Sequence, residues 1–209
     1  NCPGPEGRAR LQRMVGECWS GAGCGAAEVV AAEGNIGYGR GNNLGLEGGT
    51  AEYLLVLNPD VEMEPDALVQ GIGFLQEHRE VGMLTPFARD GSGARQYLCK
   101  RYPSVMDLFL RGFVPRALHR PFARRLARYE MRDVTGERPV DGIRIAGGCF
   151  LLLRHEVFEA VGGFSSDYFL YFEDFDLSLR VAREAGVADV PSVRIVHHGG
   201  SPARKGGRH

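Results

Sequence analysis

The segment Tyr53-Leu54-Leu55-Val56-Leu57-Asn58-Pro59-Asp60 is a continuously apolar run that ends in a polar turn. Such a run is typical of a strand buried on both faces of a sheet. Pro65 then opens a pattern with helical spacing that extends to Leu75, and residues 81–85 read as a further strand, stopped by Pro86. Strand, helix and strand with short connections form a βαβ unit. We therefore expect an α/β fold with a doubly wound, mostly parallel sheet and flanking helices.

The composition is that of an ordinary globular protein. The 209 residues, of which 44% are hydrophobic, suffice for one α/β domain with a sizeable core. The net charge of −1 gives no reason to expect a nucleic-acid partner. No apolar run is long enough to cross a bilayer and no signal peptide opens the chain, so we expect a cytoplasmic protein. The scattered cysteines form no CxxC pair and indicate free thiols in a reducing compartment: Cys2, Cys18, Cys24, Cys99 and Cys149.

Three further apolar runs read as strands, at Glu28–Ala32, Ile143–Leu153 and Val193–Val196. The second is interrupted by Gly147 and Gly148, which is typical of a place where another backbone packs closely. These runs extend the predicted sheet in both directions along the chain.

Arginines alternate with large apolar residues between about residues 91 and 140. They are Arg111, Arg116, Arg120, Arg124, Arg125 and Arg128. One interpretation is an insertion with solvated helix faces. The other is a basic amphipathic surface that touches anionic lipid head groups or a phosphate-bearing acceptor, with Phe109, Phe113 and Phe122 available for insertion.

Three carboxylates, Glu173, Asp174 and Asp176, lie within the apolar stretch 169–177. A strand-like aromatic segment leads in, and a helix follows, so these residues could be helix-dipole acids, with Asp176 pairing with Arg180 at i,i+4. The functional alternative is that a cation, a proton or a hydroxyl substrate sits between them, because acids beside buried aromatics otherwise repel one another.

Three other segments with site-like chemistry lie at strand ends or beside them, where open α/β sheets bind ligands. The glycine-rich segment 35–43 either admits a phosphate or base to its backbone or forms an asparagine-capped turn; it lacks the third glycine of a dinucleotide fingerprint. Asp60 either presents a carboxylate to a hard cation or belongs to a turn. The pair His197-His198 follows the last strand and is able to complete a carboxylate/histidine metal site.

Taken in order, these motifs resemble the GT-A glycosyltransferases of family 2, and within them the rhamnosyltransferase-like branch. The motifs are Asn-Ile-Gly-Tyr-Gly-x-Gly-Asn-Asn, Leu-Asn-Pro-Asp, Gly-Gly-Cys-Phe-Leu-Leu-Leu-Arg, Gly-Gly-Phe, Tyr-Phe-Glu-Asp-Phe-Asp-Leu-x-Leu-Arg and Val-His-His-Gly-Gly-Ser. The resemblance runs from about Asn35 to Ser201 and covers the arginine-rich middle poorly. Each motif is weak alone, but the complete ordered set is specific.

The resemblance implies a transfer of a sugar, L-rhamnose in this branch, from a nucleotide-diphosphate sugar to a hydroxyl of a bacterial surface glycan or lipid-linked acceptor. It implies a catalytic base at Asp174, with Glu173 and Asp176 shaping the site, and Mg²⁺ or Mn²⁺ held by Asp60 and by His197 or His198. Donor-binding residues would be Asn35, Gly37, Asn42, Asn43, Asn58 and Asp60, and the sugar and acceptor would lie near Gly147 and Gly148. Peripheral contact with the inner face of the cell membrane fits such an acceptor.

The departures from the family pattern concern the N-terminal half and the metal motif. A first β-α-β portion, ending in Asp-Asn, is expected before Asn1, so we expect residues 1–90 to be the remainder of the nucleotide-sugar-binding half. Residues 91–140 would be the arginine-rich insertion, 141–201 the acceptor half and 202–209 a basic tail. The usual Asp-x-Asp is reduced here to Asn58-Pro59-Asp60.

Two other functions remain open from the sequence. A nucleotidyltransferase would show a glycine-rich triphosphate loop with several basic residues, whereas Gly37–Gly41 contains only Arg40. A non-catalytic, truncated nucleotide-sugar-binding domain would fit the missing N-terminal portion but not the intact Asp174.

Overall fold

The computed structural model describes residues 5–19 and 26–199 and divides the chain into two compact units. Unit 1 comprises residues 1–49 and 164–173, and unit 2 comprises residues 50–163 and 174–209. The predicted basic tail, Ser201, Cys2 and Cys24 lie outside the described residues.

Unit 1 contains the helices α1 (Pro5–Trp19) and α2 (Tyr38–Leu46). The predicted strand at Glu28–Ala32 was wrong, because within the described ranges this segment pairs with no other strand. Residues 169–172 form bends rather than the expected strand-like lead-in. Their backbone excludes a strand, since Tyr171 and Phe172 have φ values of 71° and 70°.

Unit 2 is built on a sheet with helices packed beside it. Its strands are β1 (Tyr53–Leu57), β2 (Val61–Met63), β3 (Val81–Arg89), β4 (Arg95–Gln96), β5 (Cys99–Lys100), β6 (Ile145–Ala146), β7 (Phe150–Arg154) and β8 (Gly186–His197). Its helices are α3 (Ala67–Glu77), α4 (Val105–Phe113), α5 (Ala123–Tyr129), α6 (His155–Ala160) and α7 (Glu173–Glu184), and α7 begins at the last residue of unit 1. Two 3₁₀ turns, Arg116–Leu118 and Arg120–Phe122, join α4 to α5.

The main sheet has the strand order β1-β7-β3-β8-β2, with β4 added to the end of β3, which confirms the α/β class. Strands β1, β3 and β8 share one direction, and β3 pairs with β8 in parallel. The sheet is mixed, because β7 enters between β1 and β3 and runs antiparallel to both. In the β1·β7 register Leu57 faces Phe150, so the turn after β1 lies beside the loop before β7.

The core of unit 2 lies on the central strands. Met83, Leu84, Phe150 and Leu152 are buried there. Pro86 was expected to end its strand, but β3 continues to Arg89. The ladder tolerates the proline because the register shifts between Pro86 and Phe87, and a bulge is a position where a missing N–H is accommodated.

The arginine-rich segment folds into α4 and α5. Ser104 and Asp107 form a capping box at the start of α4, and the Asp107 carboxylate accepts a hydrogen bond of 2.7 Å from Arg125 Nε of α5. Leu110 is buried against this junction. The opposite face of α4 exposes apolar side chains at i, i+4 and i+8, with Val105 86% and Phe113 81% exposed.

Across the described ranges, the helices are too short or too polar to cross a membrane.

Candidate active site

The Asp174 carboxylate is held in the first turn of α7 by backbone donors. Gly148 N–H donates to Oδ2 at 2.8 Å, and Phe175 N–H donates to Oδ1 at 2.9 Å. Burial raises the pKa of Asp174, and these backbone hydrogen bonds only partly oppose the effect. The result is an oriented carboxylate that accepts a proton more readily than an exposed aspartate, which is the property of a general base.

Two small residues bring Asp174 and the loop 147–148 together. A Cβ on Gly148 would lie 3.0 Å from Asp174 Cβ, so a side chain there would force Asp174 or the loop to move by a few tenths of an ångström. Ser178, one turn after Asp174, connects helix α7 to strand β6. Its Oγ accepts from Ala146 N at 3.1 Å and donates to Asp174 O at 2.6 Å. Sequence reasoning missed Ser178; the available signal was a small polar residue on the buried face of the helix.

The turn after β1 places Asp60 beside His197. Asp60 O accepts from His198 N at 3.0 Å, and Asp60 Oδ1 lies 3.6 Å from His197 Nε2. Within the part of the chain that the structure describes, this buried Oδ1 accepts no hydrogen bond. His198 points elsewhere, since its Nε2 lies 3.1 Å from Glu62 Oε1. Of the two predicted histidines, His197 is therefore the one that faces Asp60.

Gln96 selects the tautomer of neutral His197, and sequence reasoning did not predict this role. Its Oε1 lies 2.8 Å from His197 Nδ1, and its Nε2 donates to His197 O at 3.0 Å. Because an amide oxygen only accepts, Nδ1 carries the proton in the neutral imidazole. The lone pair of Nε2 then faces the Asp60 carboxylate oxygen at 3.6 Å, an arrangement that a proton or a metal cation between the two acceptors would stabilise.

A divalent metal fits this pair, with ligands supplied by the substrate. Mg²⁺ is commonly bound through one or two protein groups together with phosphate oxygens and water. A fully protein-made metal cage does not occur among residues 5–19 and 26–199, where no group of three His, Cys, Asp or Glu side chains is arranged for one. Asp60 and His197 would thus be the protein's share of the coordination sphere.

Cys149 lies between the turn that carries Asp60 and the glycine that contacts Asp174. Its carbonyl accepts from Asn58 N at 2.9 Å, and it follows Gly148, which holds Asp174. Burial raises the pKa of Cys149 to about 12, and the negative charges of Asp60 and Asp174 contribute to this rise. Both carboxylates therefore lie close to one loop. Cys149 and Cys99 are free and buried thiols, as predicted.

The other two acids of the cluster have different surroundings. Asp176 Oδ2 pairs with Arg180 at 2.7 Å, which is the predicted i,i+4 helix pair. Arg180 also donates to Val161 O at 2.6 Å, so this pair anchors α7 within unit 2. Glu173 is 5% exposed and packs in unit 1, where a Cβ on Gly39 would lie 3.6 Å from Glu173 Cβ.

The predicted donor-binding residues of segment 35–43 bond mainly to backbone within unit 1. Asn43 donates to Phe164 O at 2.8 Å and accepts from Phe164 N at 2.9 Å. Asn42 Nδ2 donates to Tyr38 O at 3.0 Å, and Asn35 Oδ1 accepts from Gly37 N at 3.1 Å.

Gly37 is also needed for the local backbone structure of unit 1. It has a φ of 88°, and a Cβ there would overlap the Phe169 carbonyl oxygen. The segment was also expected to be a loop up to Asn43, whereas α2 already begins at Tyr38. Asn35 and Gly37 still line a cavity of about 200 Å³ in unit 1, together with Arg8 and Leu11 of α1.

The relatives found by comparison with known proteins are rhamnosyltransferases. Over 180 residues the chain is 33% identical to an N-acetylglucosaminyl-diphospho-decaprenol L-rhamnosyltransferase of Mycobacterium tuberculosis, a match covering 78% of this chain and 56% of the relative. Over 175 residues it is 27% identical to the rhamnosyltransferase WbbL of Escherichia coli, covering 79% and 62%. No family model matches the chain.

The fold is shared with a solved mannosyltransferase from Pyrobaculum calidifontis, in complex with GDP-Man and Mn²⁺. The TM-score is 0.57 at 16% identity, and the match covers 93% of this chain and 45% of that chain. These findings confirm the resemblance to rhamnosyltransferases and the fold of GT-A glycosyltransferases. The chain spans 56% of the length of the first relatives it matches.

Proposed function

We propose that this glycosyltransferase chain transfers L-rhamnose from a nucleotide-diphosphate rhamnose, with dTDP or UDP as the nucleotide, to a hydroxyl of a lipid-linked bacterial glycan. The names of the relatives support the sugar and the acceptor class. The observation that carries the proposal is the Asp174 carboxylate, held by Gly148 and raised in pKa, beside the loop that also contacts the Asp60 turn.

The reaction would be a single displacement with inversion. Asp174 accepts the proton of the acceptor hydroxyl as its oxygen forms a bond to the anomeric carbon. The bond from that carbon to the diphosphate oxygen breaks, and the nucleotide diphosphate leaves with the electron pair. The Gly148 N–H keeps the carboxylate oriented through this step, since a well-placed base within hydrogen-bond reach contributes roughly 10²–10⁴-fold to such a transfer.

Asp60 and His197 would hold Mg²⁺ or Mn²⁺. The ion, when bound, neutralises charge on the leaving diphosphate. The protein supplies the preorganisation: Gln96 keeps the proton on Nδ1 of His197, and the turn between β1 and β2 holds Asp60 at the edge of the sheet. The Asp60 oxygen without a hydrogen bond among the described residues supports this assignment.

The exposed face of α4 would contact the membrane that carries the acceptor. Val105, Phe109 and Phe113 form an apolar stripe, and the neighbouring helix α5 contributes Arg124 and Arg128. Apolar insertion and attraction to anionic lipid act together at such a surface, with about 1 kcal/mol per basic residue near an anionic membrane.

A transfer assay with the full-length protein tests the function. The protein is incubated with dTDP-rhamnose or UDP-sugars and a lipid-linked acceptor, and nucleotide release and the anomeric configuration of the product are measured. We expect release that requires acceptor and a product with the anomeric configuration opposite to that of the donor. Donor binding without acceptor-dependent release would instead indicate a domain that binds the nucleotide sugar without turnover, and a retained configuration would exclude single displacement.

A further inference from the structure

A pocket of unit 2, of about 680 Å³, lies between β4, β5 and the α4–α5 region and is strongly basic. Arg95, Lys100, Arg111 and Arg132 line it, against the carboxylates of Asp90 and Glu130. Four cations facing two carboxylates leave an excess of positive charge before any contribution from histidine.

The two carboxylates are already engaged. Asp90 Oδ1 accepts hydrogen bonds from Ser92 N and Ala94 N, both at 2.9 Å, and so closes a turn. Glu130 pairs with Arg111 at 3.0 Å and with Arg132 at 2.5 Å. Over the described ranges, Arg95 and Lys100 have no carboxylate within 4.0 Å.

Aromatic rings contact two of the guanidinium groups; Arg95 is positioned by rings alone among the described residues, whereas Arg132 is also held by Glu130. Arg95 and Arg132 both lie 4.7 Å from the centroid of the Tyr97 ring, and Arg95 also lies 4.6 Å from that of Phe87. A guanidinium stacked on a ring keeps its in-plane N–H donors available, and such planar donors match phosphate oxygens well.

The ammonium group of Lys100 lies in the same pocket, and among the described residues no paired carboxylate balances the cost of its burial. Burial lowers the pKa of Lys100 to about 8; Glu130 opposes this change, while Arg111 and Arg132 add to it. Its Nζ donates to Tyr97 O and lies 6.0 Å from the Tyr129 ring centroid. A desolvated ammonium among arginines is stabilised when an anion enters.

The pocket adjoins the candidate active site through β4 and β5. Gln96, which lines the pocket, bonds to His197 at 2.8 Å. Leu98 O accepts from Gly147 N at 3.0 Å, next to the glycine that holds Asp174. Arg111 belongs to α4, whose opposite face carries the exposed apolar stripe.

We propose that the pocket lined by Arg95, Lys100, Arg111 and Arg132 binds the diphosphate group of the lipid-linked acceptor. This inference rests on the proposed function and assigns the part of the acceptor that the protein recognises. A lipid diphosphate bound here would place its glycan toward the loop 147–148, which Leu98 contacts, and its lipid chain along α4, which contributes Arg111. The same chemistry occurs in the diphosphate of the nucleotide donor, so the test separates the two sources.

The test measures binding by isothermal titration calorimetry with the full-length protein. The probes are farnesyl diphosphate in EDTA and dTDP in Mg²⁺. The variants are Lys100→Met and Arg95→Met, with Lys100→Arg to restore the charge. Arg79→Met is the matched control, because Arg79 is an exposed arginine of unit 2 that lies outside both the pocket and the α4–α5 surface. Thermal melting verifies that each variant is folded.

We expect the Kd of farnesyl diphosphate to rise at least tenfold in Lys100→Met and Arg95→Met. It should stay within twofold in Lys100→Arg and Arg79→Met, and the Kd of dTDP should be unchanged in all four variants. Unaltered farnesyl diphosphate binding in folded Lys100→Met and Arg95→Met overturns the inference. An equal loss of dTDP affinity also overturns it, because the pocket would then serve the donor.

The transfer assay separates this inference from the function on which it rests. If sugar transfer occurs and Lys100→Met leaves the KM for the lipid-linked acceptor unchanged, the pocket assignment fails and the proposed function stands. If the variants lose farnesyl diphosphate binding but no donor and acceptor give transfer, the pocket stands and the proposed function fails.

Discussion

Replacing Gly148 by alanine should displace the Asp174 carboxylate without unfolding unit 2. The new Cβ would lie 3.0 Å from Asp174 Cβ and 3.4 Å from Oδ2, against an ordinary carbon–carbon contact of about 3.5–4.0 Å. Asp174 must therefore shift by a few tenths of an ångström, which stretches the 2.8 Å hydrogen bond from Gly148 N. A misplacement of about 1 Å at a reacting group costs on the order of 10²-fold in rate, so this smaller shift should cost less.

We expect kcat to fall about 3- to 10-fold in Gly148→Ala, with an overpacking cost of about 1–3 kcal/mol in stability. The hydrogen bond from Gly148 lowers the pKa of Asp174, so weakening it raises that pKa and moves the acidic limb of the pH–rate profile to higher pH. Gly73→Ala in α3 is the control, because a Cβ there would meet nothing within 4 Å and Gly73 lies outside the candidate site. An unshifted profile and normal kcat in Gly148→Ala, or equal losses in both variants, would refute this account of Gly148.

Three further predictions concern the metal, the core and α4. Asp60→Asn should weaken nucleotide-diphosphate binding at least tenfold in Mg²⁺ or Mn²⁺ and leave it unchanged in EDTA; equal affinity of the original protein with and without metal in calorimetric titrations would exclude a metal role. Asp189 is 4% exposed, and burial raises its pKa from 3.8 to about 6, so the folded state loses up to about 3 kcal/mol as pH rises from 4 to 6. Asp189→Asn should flatten this dependence in urea unfolding series at pH 4–7, and an unchanged slope would show that the carboxyl titrates normally. The full-length protein should co-sediment with anionic liposomes at low salt and less as ionic strength rises, and Phe109→Ser/Phe113→Ser should reduce this binding; no sedimentation of the original protein with anionic or neutral lipid would make α4 an ordinary solvated surface.

The strands that follow from local patterns were predictable. Residues 53–57 form β1 as expected, because a continuous apolar run closed by Asn-Pro leaves few alternatives. Pro86 and the segment 169–172 were misread, because their structure depends on context. A register shift accommodates the proline in β3, and left-handed backbone at Tyr171 and Phe172 prevents the aromatic run from forming a strand.

The residue types of the candidate site were predictable from the sequence, but the contacts between its residues were not. Asp174 and the Asp60–His197 pair were candidates because acids and histidines at strand ends are unusual enough to notice. Gln96 and Ser178 were missed, since each acts through contacts with residues distant in sequence. The spacing of residues along the sequence does not indicate such contacts, because glutamine and serine are common on any surface or helix.

Turnover of Asp174→Asn tests the central claim most directly. Asparagine keeps the size of the side chain and an oxygen that accepts from Gly148 N–H, but it removes the basic carboxylate. With the full-length protein, lipid-linked acceptor and saturating donor, we expect single-turnover sugar transfer to slow by about 100-fold or more while the Kd of the nucleotide diphosphate stays within twofold. Asp167→Asn, an exposed aspartate of unit 1, should transfer at the original rate. Near-normal transfer by Asp174→Asn would contradict the assignment of Asp174 as the base.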